Sequence, residues 1–350
     1  MAPDPTHGLD RDAGSYNRRV DANRAAMSFV QHRKVSCLYA LSRIWTLVLL
    51  LVCMTAVGCV PQIGDPGKPD RIIGKRGIGP GRFQKPRAIA IDDQDRLFVV
   101  DMTGRIQVLN TEGEPLQLWR TPEIYQGKPT GLTIAPDGDL MVADTHYFRI
   151  LFYDAEGNKH EDETIGGVNG MKAGEFGLVT DIAIDSQGNR YISEYGEFDR
   201  IQKFSPEGEF LFQWGGPGRD AGQFERPNNL AIDENDHLWV VDACNHRVQV
   251  FDATGDEAKL VKVWGESGQE PGQLSYPYDI VLGQDGSVYI AEYGNHRVQK
   301  FDRDGKSLAT WGSNGREPGK LYQPWGLAQD SKGRLYVLDS YNHRIQRFRL

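Results

Sequence analysis

The sequence predicts an all-β fold, a six-bladed β-propeller whose ring is closed by an N-terminal strand that completes the last blade. Three observations predict it. The stretch Val241-Asp242-Ala243-Cys244-Asn245-His246-Arg247-Val248-Gln249-Val250-Phe251 returns at 291–301 and again at 338–348, with Asp242, Glu292 and Asp339 lying 50 and then 47 positions apart. A period of that size marks a repeat architecture. The same element recurs in weaker form upstream: Asp101, Asp144 and Glu194 are followed by Arg105, Arg149 and Arg200, as the later acids are followed by Arg247, Arg297 and Arg344, which makes six copies. Finally, each copy reads as four short strands of period two separated by Gly, Asp and Asn, and no segment after residue 70 carries a competing helical period.

The fourth copy shows the unit. Strands are expected at 229–233, 237–241, 247–251 and 259–265, with turns at Glu234-Asn235-Asp236 and Ala253-Thr254-Gly255-Asp256. Four-stranded units repeated around a ring make a propeller. Such a ring must close or expose sheet edges. The sixth copy supplies three strands by Leu350. Fourth strands end in an apolar-Gly pair at Trp214-Gly215, Trp264-Gly265 and Trp311-Gly312, and Arg71-Ile72-Ile73-Gly74 carries such a pair ahead of the first copy. Residues 71–76 are therefore expected to complete blade six.

The lead-in to each copy has its own pattern: Gly81-Arg82-Phe83 with Pro86, Gly222-Gln223-Phe224 with Pro227, Gly272-Gln273-Leu274 with Pro277, and Gly319-Lys320-Leu321 with Pro324. Together with the Asn-His-Arg-apolar-Gln segments, it resembles the NHL repeat family over residues 71–350. Copy two departs most, with only Gly127 and Pro129, and copy three has Val179 where the others have Pro. The resemblance implies the fold. Function has to be argued from a site placed on it.

Residues 1–58 read as an export signal and 59–70 as a short tether. Ile44 to Gly58 is uncharged and nearly all apolar, Arg33, Lys34 and Arg43 precede it, and Ala56-Val57-Gly58-Cys59 resembles a bacterial lipobox with Cys59 as the lipidated residue. The alternative is an uncleaved signal-anchor helix over 44–60. Either reading expects the propeller in the cell envelope, outside the cytoplasmic membrane and membrane-anchored. Cys244 is the one cysteine of the repeat region, so no disulfide within it is expected. The chain carries net charge −8, and its first 58 residues hold seven Arg/Lys against four Asp/Glu, so the repeat region is more acidic still. That argues against a nucleic-acid partner, which demands a basic face. The expected partner of a monomeric propeller is a protein, peptide or glycan.

Repetition separates structure from function. The acid–Arg pairs occur in all six copies and are expected to be structural ion pairs. His246, His296 and His343, in identical turns, are expected to serve turn chemistry. The glycines of Gly77-Ile78-Gly79-Pro80-Gly81 fit tight turns rather than a phosphate loop. Unrepeated positions are more telling. The second inner-strand residue is Ala88, Gly131, Asp181, Asn229, Asp279 and Gly326 in the six copies. Asp181, Asn229 and Asp279 are the candidate metal ligands, for calcium or another divalent cation. They resemble the channel metal site of gluconolactonases and regucalcin-like lactonases, in which Ala88 stands where those enzymes carry a Glu; the resemblance implies a metal-dependent hydrolase or lactonase. The segment from Trp264 to Pro277 resembles peptidyl-hydroxyglycine amidating lyases, whose zinc histidines follow this Pro. Here Arg87, Thr130, Thr180, Asn228, Tyr278 and Trp325 hold those places and none is His. No catalytic residue is assigned and no resident cofactor is expected. One face collects Tyr147, Tyr195, Phe198, Tyr276, Tyr278, Tyr293, Tyr322, Trp325 and Tyr341 with Arg87 and Arg226. Aromatics and Arg anchor interfaces, and Arg87, Tyr195, Tyr278, Tyr293 and Trp325 are the expected ligand-binding residues of a binding module.

Overall fold

The computed structural model describes residues 67–350; the expected export segment, Cys59 and most of the tether lie outside the described residues. Among the described residues, six four-stranded antiparallel sheets stand as blades in a ring. The inner strands, Pro86–Ile91, Gly131–Ile134, Leu178–Ile184, Pro227–Ile232, Pro277–Leu282 and Leu327–Gln329, surround a central channel. Blade four continues outward through His237–Asp242, Arg247–Asp252 and Lys259–Trp264. Its second strand is buried almost throughout, whereas its outer strand is exposed at Lys259, Leu260, Val261 and Val263. That follows from position: middle strands are covered on both faces by neighbouring blades, so both sets of side chains must be apolar or paired.

The core is distributed between blades. Trp239, Val241, Val248 and Val250 of blade four pack on Ile280, Val288, Ile290 and Phe301 of blade five. The cluster that joins blade six to blade one contains Tyr336, Leu338 and Ile345 on one side and Ile89, Leu97 and Val99 on the other, with Ile73 between them. Ile73 belongs to the closing strand, Arg71–Ile73, which pairs antiparallel with Arg344–Arg349 in the register Arg71 to Arg347 and Ile73 to Ile345. Asp70 adds an ion pair to Arg347 at 2.9 Å. The closing strand is thus shorter than the 71–76 expected. It ends at Gly74, whose φ of 79° and lack of a side chain make room for the buried Phe83 ring. Arg76 instead bridges to Phe83 within the lead-in loop.

All six acid–Arg pairs form. Arg149–Asp144, Arg200–Glu194, Arg247–Asp242 and Arg344–Asp339 lie at 2.9, 2.6, 2.8 and 2.6 Å, and Arg105–Asp101 and Arg297–Glu292 are also paired. Each carboxylate is completely buried or nearly so. Five arginines reach past the pair to backbone carbonyls of the lead-in loop. Arg247 donates to the carbonyls of Arg219, Asp220 and Gln223, while Asp242 accepts the backbone N–H of Glu225. The clamp therefore fixes the loop that delivers each inner strand to the channel. Blade two, with its shorter lead-in, spends its Arg149 on Asp144 and Glu123 instead.

Candidate functional site

The inner strands begin at one mouth of the channel. Before Pro86, Pro227, Pro277 and Pro324 the chain turns through Lys85, Arg226, Tyr276 and Gln323, all with φ between 47° and 65°. Each of these backbone N–H groups is held by the preceding blade. The Nδ1 atoms of His343, His246 and His296 accept from Lys85, Tyr276 and Gln323 at 3.0 Å, and Asp199 Oδ1 accepts from Arg226 at 3.0 Å. The repeated histidines thus bind blade to blade, and they set where the residue after each Pro points.

Those residues form a ring of two unlike halves. In blades two to four the side chains are satisfied by protein. Thr130 Oγ1 meets Thr145 Oγ1 at 2.7 Å, Thr180 Oγ1 donates to the Pro227 carbonyl at 2.7 Å, and Asn228 Nδ2 donates to the Tyr278 carbonyl at 2.7 Å. In blades five, six and one the ring residues are Tyr278, Trp325 and Arg87. Tyr278 stacks on Tyr293, with centroids 4.6 Å apart, and meets Trp325 edge-on at 4.9 Å. Arg87 lies over Trp325 at 4.8 Å, and Arg226 lies over both Tyr195 at 4.6 Å and Tyr278 at 5.0 Å. Tyr341 closes the group against Tyr293. The structure therefore brings Arg87, Tyr195, Tyr278, Tyr293 and Trp325 together around Arg226. Within the aromatic face, Tyr147 and Phe198 stand apart. Tyr147 accepts the Gln126 N–H and lies beneath Arg149, and Phe198 is buried beneath Arg200. Tyr276 and Tyr322 pack on the latch residues His246 and His296.

The electrostatics of the mouth are one-sided. Burial, with the charge of Arg226 beside it, lowers the Arg87 pKa; Arg226 Nε donates to Asn228 Oδ1 at 3.3 Å, and neither guanidinium has a carboxylate partner among the described residues. Burial, reinforced by Arg87, also lowers the His146 pKa. The Nε of Arg87 and the Nδ1 of His146 are both buried without a hydrogen-bond partner among the described residues. His146 was not singled out in the sequence. It follows Asp144 by two residues, where Glu292 is followed by Gly294, so comparing copies at that position is the signal that finds it. Cys244 occupies the same position in copy four and stands half-buried beside Arg226 and Tyr278.

One residue deeper, Asp181, Asn229 and Asp279 line a cavity of about 450 Å³ whose other walls are mostly Ile, Leu, Val and Ala, with Thr133, Pro136 and Gln329 among them. Asp181 Oδ2 accepts from Asn229 Nδ2 at 2.8 Å and from the Leu230 N–H at 3.0 Å. Asn229 Oδ1 accepts from Ile280 N–H, and Asp279 Oδ2 from Leu327 N–H at 2.9 Å. The three side chains form a staircase, each holding the next blade's inner strand. Burial raises Asp181 to about 7 and raises Asp279 well above the carboxylate range. A calcium shell takes roughly six to eight oxygens. With both ends of the Asn229 amide and one oxygen of each carboxylate engaged, and with Ala88 contributing no donor, the arrangement does not fit a resident ion of that kind. No cluster of three or more His, Cys, Asp or Glu suited to a metal occurs among the described residues.

Comparison with known proteins agrees with the fold. Residues 321–348 match the NHL repeat, and residues 90–321 match the SMP-30/gluconolactonase/LRE-like region. The chain is 31% identical over 213 residues to peptidyl-glycine alpha-amidating monooxygenase B of Xenopus laevis, covering 57% of this chain and 22% of that protein. It is 26% identical to human NHL repeat-containing protein 3, covering 43% and 48% of the two chains. The chain thus spans about a fifth of the amidating enzymes it matches. A streptogramin B lyase structure superposes with a TM-score of 0.55 at 14% identity, covering 79% of this chain and 86% of that one. Virginiamycin B lyase from Staphylococcus aureus superposes with a TM-score of 0.53 at 13% identity, covering 82% and 97%. With two thirds of its length matched by one family model, and its last blade by a repeat of the same architecture, the chain belongs to the SMP-30/gluconolactonase/LRE-like family of propellers and carries an NHL repeat.

Proposed function

We propose that this propeller is a binding module that seats a protein, peptide or glycan ligand on the channel mouth of blades five, six and one. The observation that carries the reading is the split ring. Mouth residues of blades two to four spend their polar groups on neighbouring blades, whereas Tyr278, Tyr293 and Trp325 form an aromatic platform and Arg87 donates to no protein acceptor among the described residues. Rigid aromatics beside arginine are what binding hot spots are made of. The apolar segment 44–60 and Cys59 support display outside the cytoplasmic membrane, through a lipid on Cys59 or an uncleaved helix. No helix among the described residues is long and apolar enough to cross a membrane.

The test is a glycan and peptide array probed with the purified full chain, beside Trp325→Ala and Tyr293→Ala. The expected result is a set of ligands whose signal falls at least tenfold in both variants, in line with losses of 2 kcal/mol or more at hot spots, or roughly thirtyfold. Ligands that survive both substitutions, or no ligand at all, would refute the reading. Metal-dependent hydrolysis or lactonase activity at Asp181, Asn229 and Asp279 is the competing function. Stoichiometric calcium in the purified chain, lost in Asp279→Ala, would favour it.

A further inference from the structure

We propose that the mouth recognises an anionic group, a carboxylate in the first instance, held between Arg87 and Arg226 while the body of the ligand lies on the Trp325–Tyr293 side of the aromatic platform. The inference rests on the binding reading above and names the chemistry of its ligand.

Three features of the site carry it. Two guanidiniums, Arg87 and Arg226, stand at one mouth, each over aromatic faces and neither with a carboxylate partner among the described residues. The buried arginines Arg105, Arg200, Arg297 and Arg347 all meet Asp or Glu, whereas Arg87 and Arg226 are half-buried over rings, as Arg190 is over Phe152, and of these only Arg87 and Arg226 share one site. An acidic chain with 48 Asp and Glu against 40 Lys and Arg has carboxylates to spare, yet none is placed here. Next, Arg87 Nε is buried without a hydrogen-bond partner among the described residues, and the contact of Trp325 with Tyr278 places Arg87, over the first ring, beside Arg226, over the second. A buried polar group left unpaired costs about 1–3 kcal/mol, more when charged, so the Arg87 guanidinium is the group at this mouth that an anion from outside the chain would complete. Finally, the neighbours that act on Arg87 are Tyr195, Tyr278, Tyr341 and Arg226, which supply ring faces, hydroxyls and positive charge. The nearest acids on the inner strands, Asp181 and Asp279, are one residue deeper and already accept backbone N–H groups.

The complementary ligand is a carboxylate on a flat-faced body. Its oxygens would accept from the Arg87 fork, the geometry for which a planar guanidinium is suited. The ring behind it would lie against Trp325 and Tyr293; Tyr278, expected from the sequence to touch ligand, is 7% exposed between Tyr293 and Arg226 and backs the platform instead. Arg226, held over Tyr195 and Tyr278, adds a second positive charge within a mouth walled by protein, where charges act more strongly than in water.

A matched pair of small probes tests this. Phenyl β-D-glucuronide and phenyl β-D-glucoside share a sugar ring and a phenyl ring and differ in carboxylate against hydroxymethyl. Titrated calorimetrically into the full chain, the glucuronide is expected to bind at least about tenfold more tightly, since a hydrogen bond to a charged group contributes roughly 1.5–3 kcal/mol. Arg87→Gln should bring the two affinities together, Arg87→Lys should keep part of the preference, and Trp325→Ala should weaken both probes alike. Equal affinity for the two probes, or a preference that survives in Arg87→Gln, overturns the anion assignment and leaves the platform standing. Binding of neither probe overturns the anion assignment and the platform together.

Discussion

The acid–Arg clamps and the channel mouth are made by the same six repeats, yet they treat charge in opposite ways. In five of the clamps the buried carboxylate meets an arginine and the backbone of a lead-in loop, while in blade two Asp144 meets Arg149 alone and keeps one oxygen without a partner among the described residues. At the mouth Arg87 and Arg226 are stacked on rings with no carboxylate, and Arg87 Nε and His146 Nδ1 stay unpaired. The difference shows where this fold stores stability and where it can spare some. The clamps recur because every blade must be held in the same way, whereas the Arg87–Arg226 pair over the aromatic rings occurs once in the ring.

The largest effect should come from breaking a clamp. Asp242 accepts from Glu225 N–H, Asn245, Arg247 and Gln249 while completely buried. Asp242→Ala leaves Arg247 facing a lead-in loop without its counter-ion. It should cost about 3–5 kcal/mol, as removal of one partner from a buried pair does. The internal control is Glu123→Ala, which removes the half-exposed partner of Arg149 while Asp144 remains; that change should cost no more than about 1 kcal/mol. Chemical denaturation of the two variants measures both. Similar losses would mean that the clamps are not what holds the blades.

An intermediate effect should follow from pH. Burial lowers the pKa of His246, His296 and His343, whose Nδ1 atoms must be unprotonated to accept the latch N–H groups. A histidine depressed in the folded state binds fewer protons there than in the unfolded chain. Its contribution is therefore complete above an unfolded value of about 6.5 and declines as pH falls through that window. Asp181, raised to about 7, acts with the opposite sign over the same range, because the folded chain takes up its proton first. The histidine share is isolated by comparing wild type with a triple His246→Asn, His296→Asn, His343→Asn variant. Wild type should lose roughly 0.5–1.5 kcal/mol per latch relative to the variant between pH 7.5 and 5.5. Parallel pH profiles would show that the latches do not titrate. Around His343 the charged neighbours are Arg76, Lys85, Asp101 and Asp339, around His246 Glu225, Arg219 and Asp242, and around His296 Asp339, so the three need not respond equally.

Much of the ring was legible because repeats carry their own alignment. The period placed six acids and six arginines, and the apolar-Gly pair at Ile73-Gly74 identified the strand that closes blade six. Its end was misjudged by three residues, because the stop depends on the ring of Phe83 lying over Gly74, a contact between positions that no local pattern links. At the mouth, Arg87, Tyr195, Tyr278, Tyr293 and Trp325 could be read as a group, since they occupy corresponding places in different copies. Which of them would be satisfied by protein could not. That depends on Thr180 reaching Pro227 and Asn228 reaching Tyr278 across blades about fifty residues apart. For the same reason Asp181, Asn229 and Asp279 read as free donors in the sequence, whereas folding commits them to the backbone of the next blade.

The smallest change in stability should be at Arg87, and its smallness is the informative part. A guanidinium within a clamp cannot be removed without stranding its carboxylate. Arg87 strands nothing when removed, because no carboxylate depends on it and its remaining contact is a ring face. Losing the stack over Trp325 costs about 0.5–1 kcal/mol, and relieving a desolvated cation offsets part of that. Arg87→Gln should therefore unfold within about 1 kcal/mol of wild type in the same denaturation assay that registers Asp242→Ala. A loss of clamp size would show that Arg87 holds the blades together, and the contrast between rim and mouth would fail at its central residue. A near-neutral result would identify a half-buried positive charge that the fold retains without needing it, which is the stability signature expected of a residue kept for a ligand.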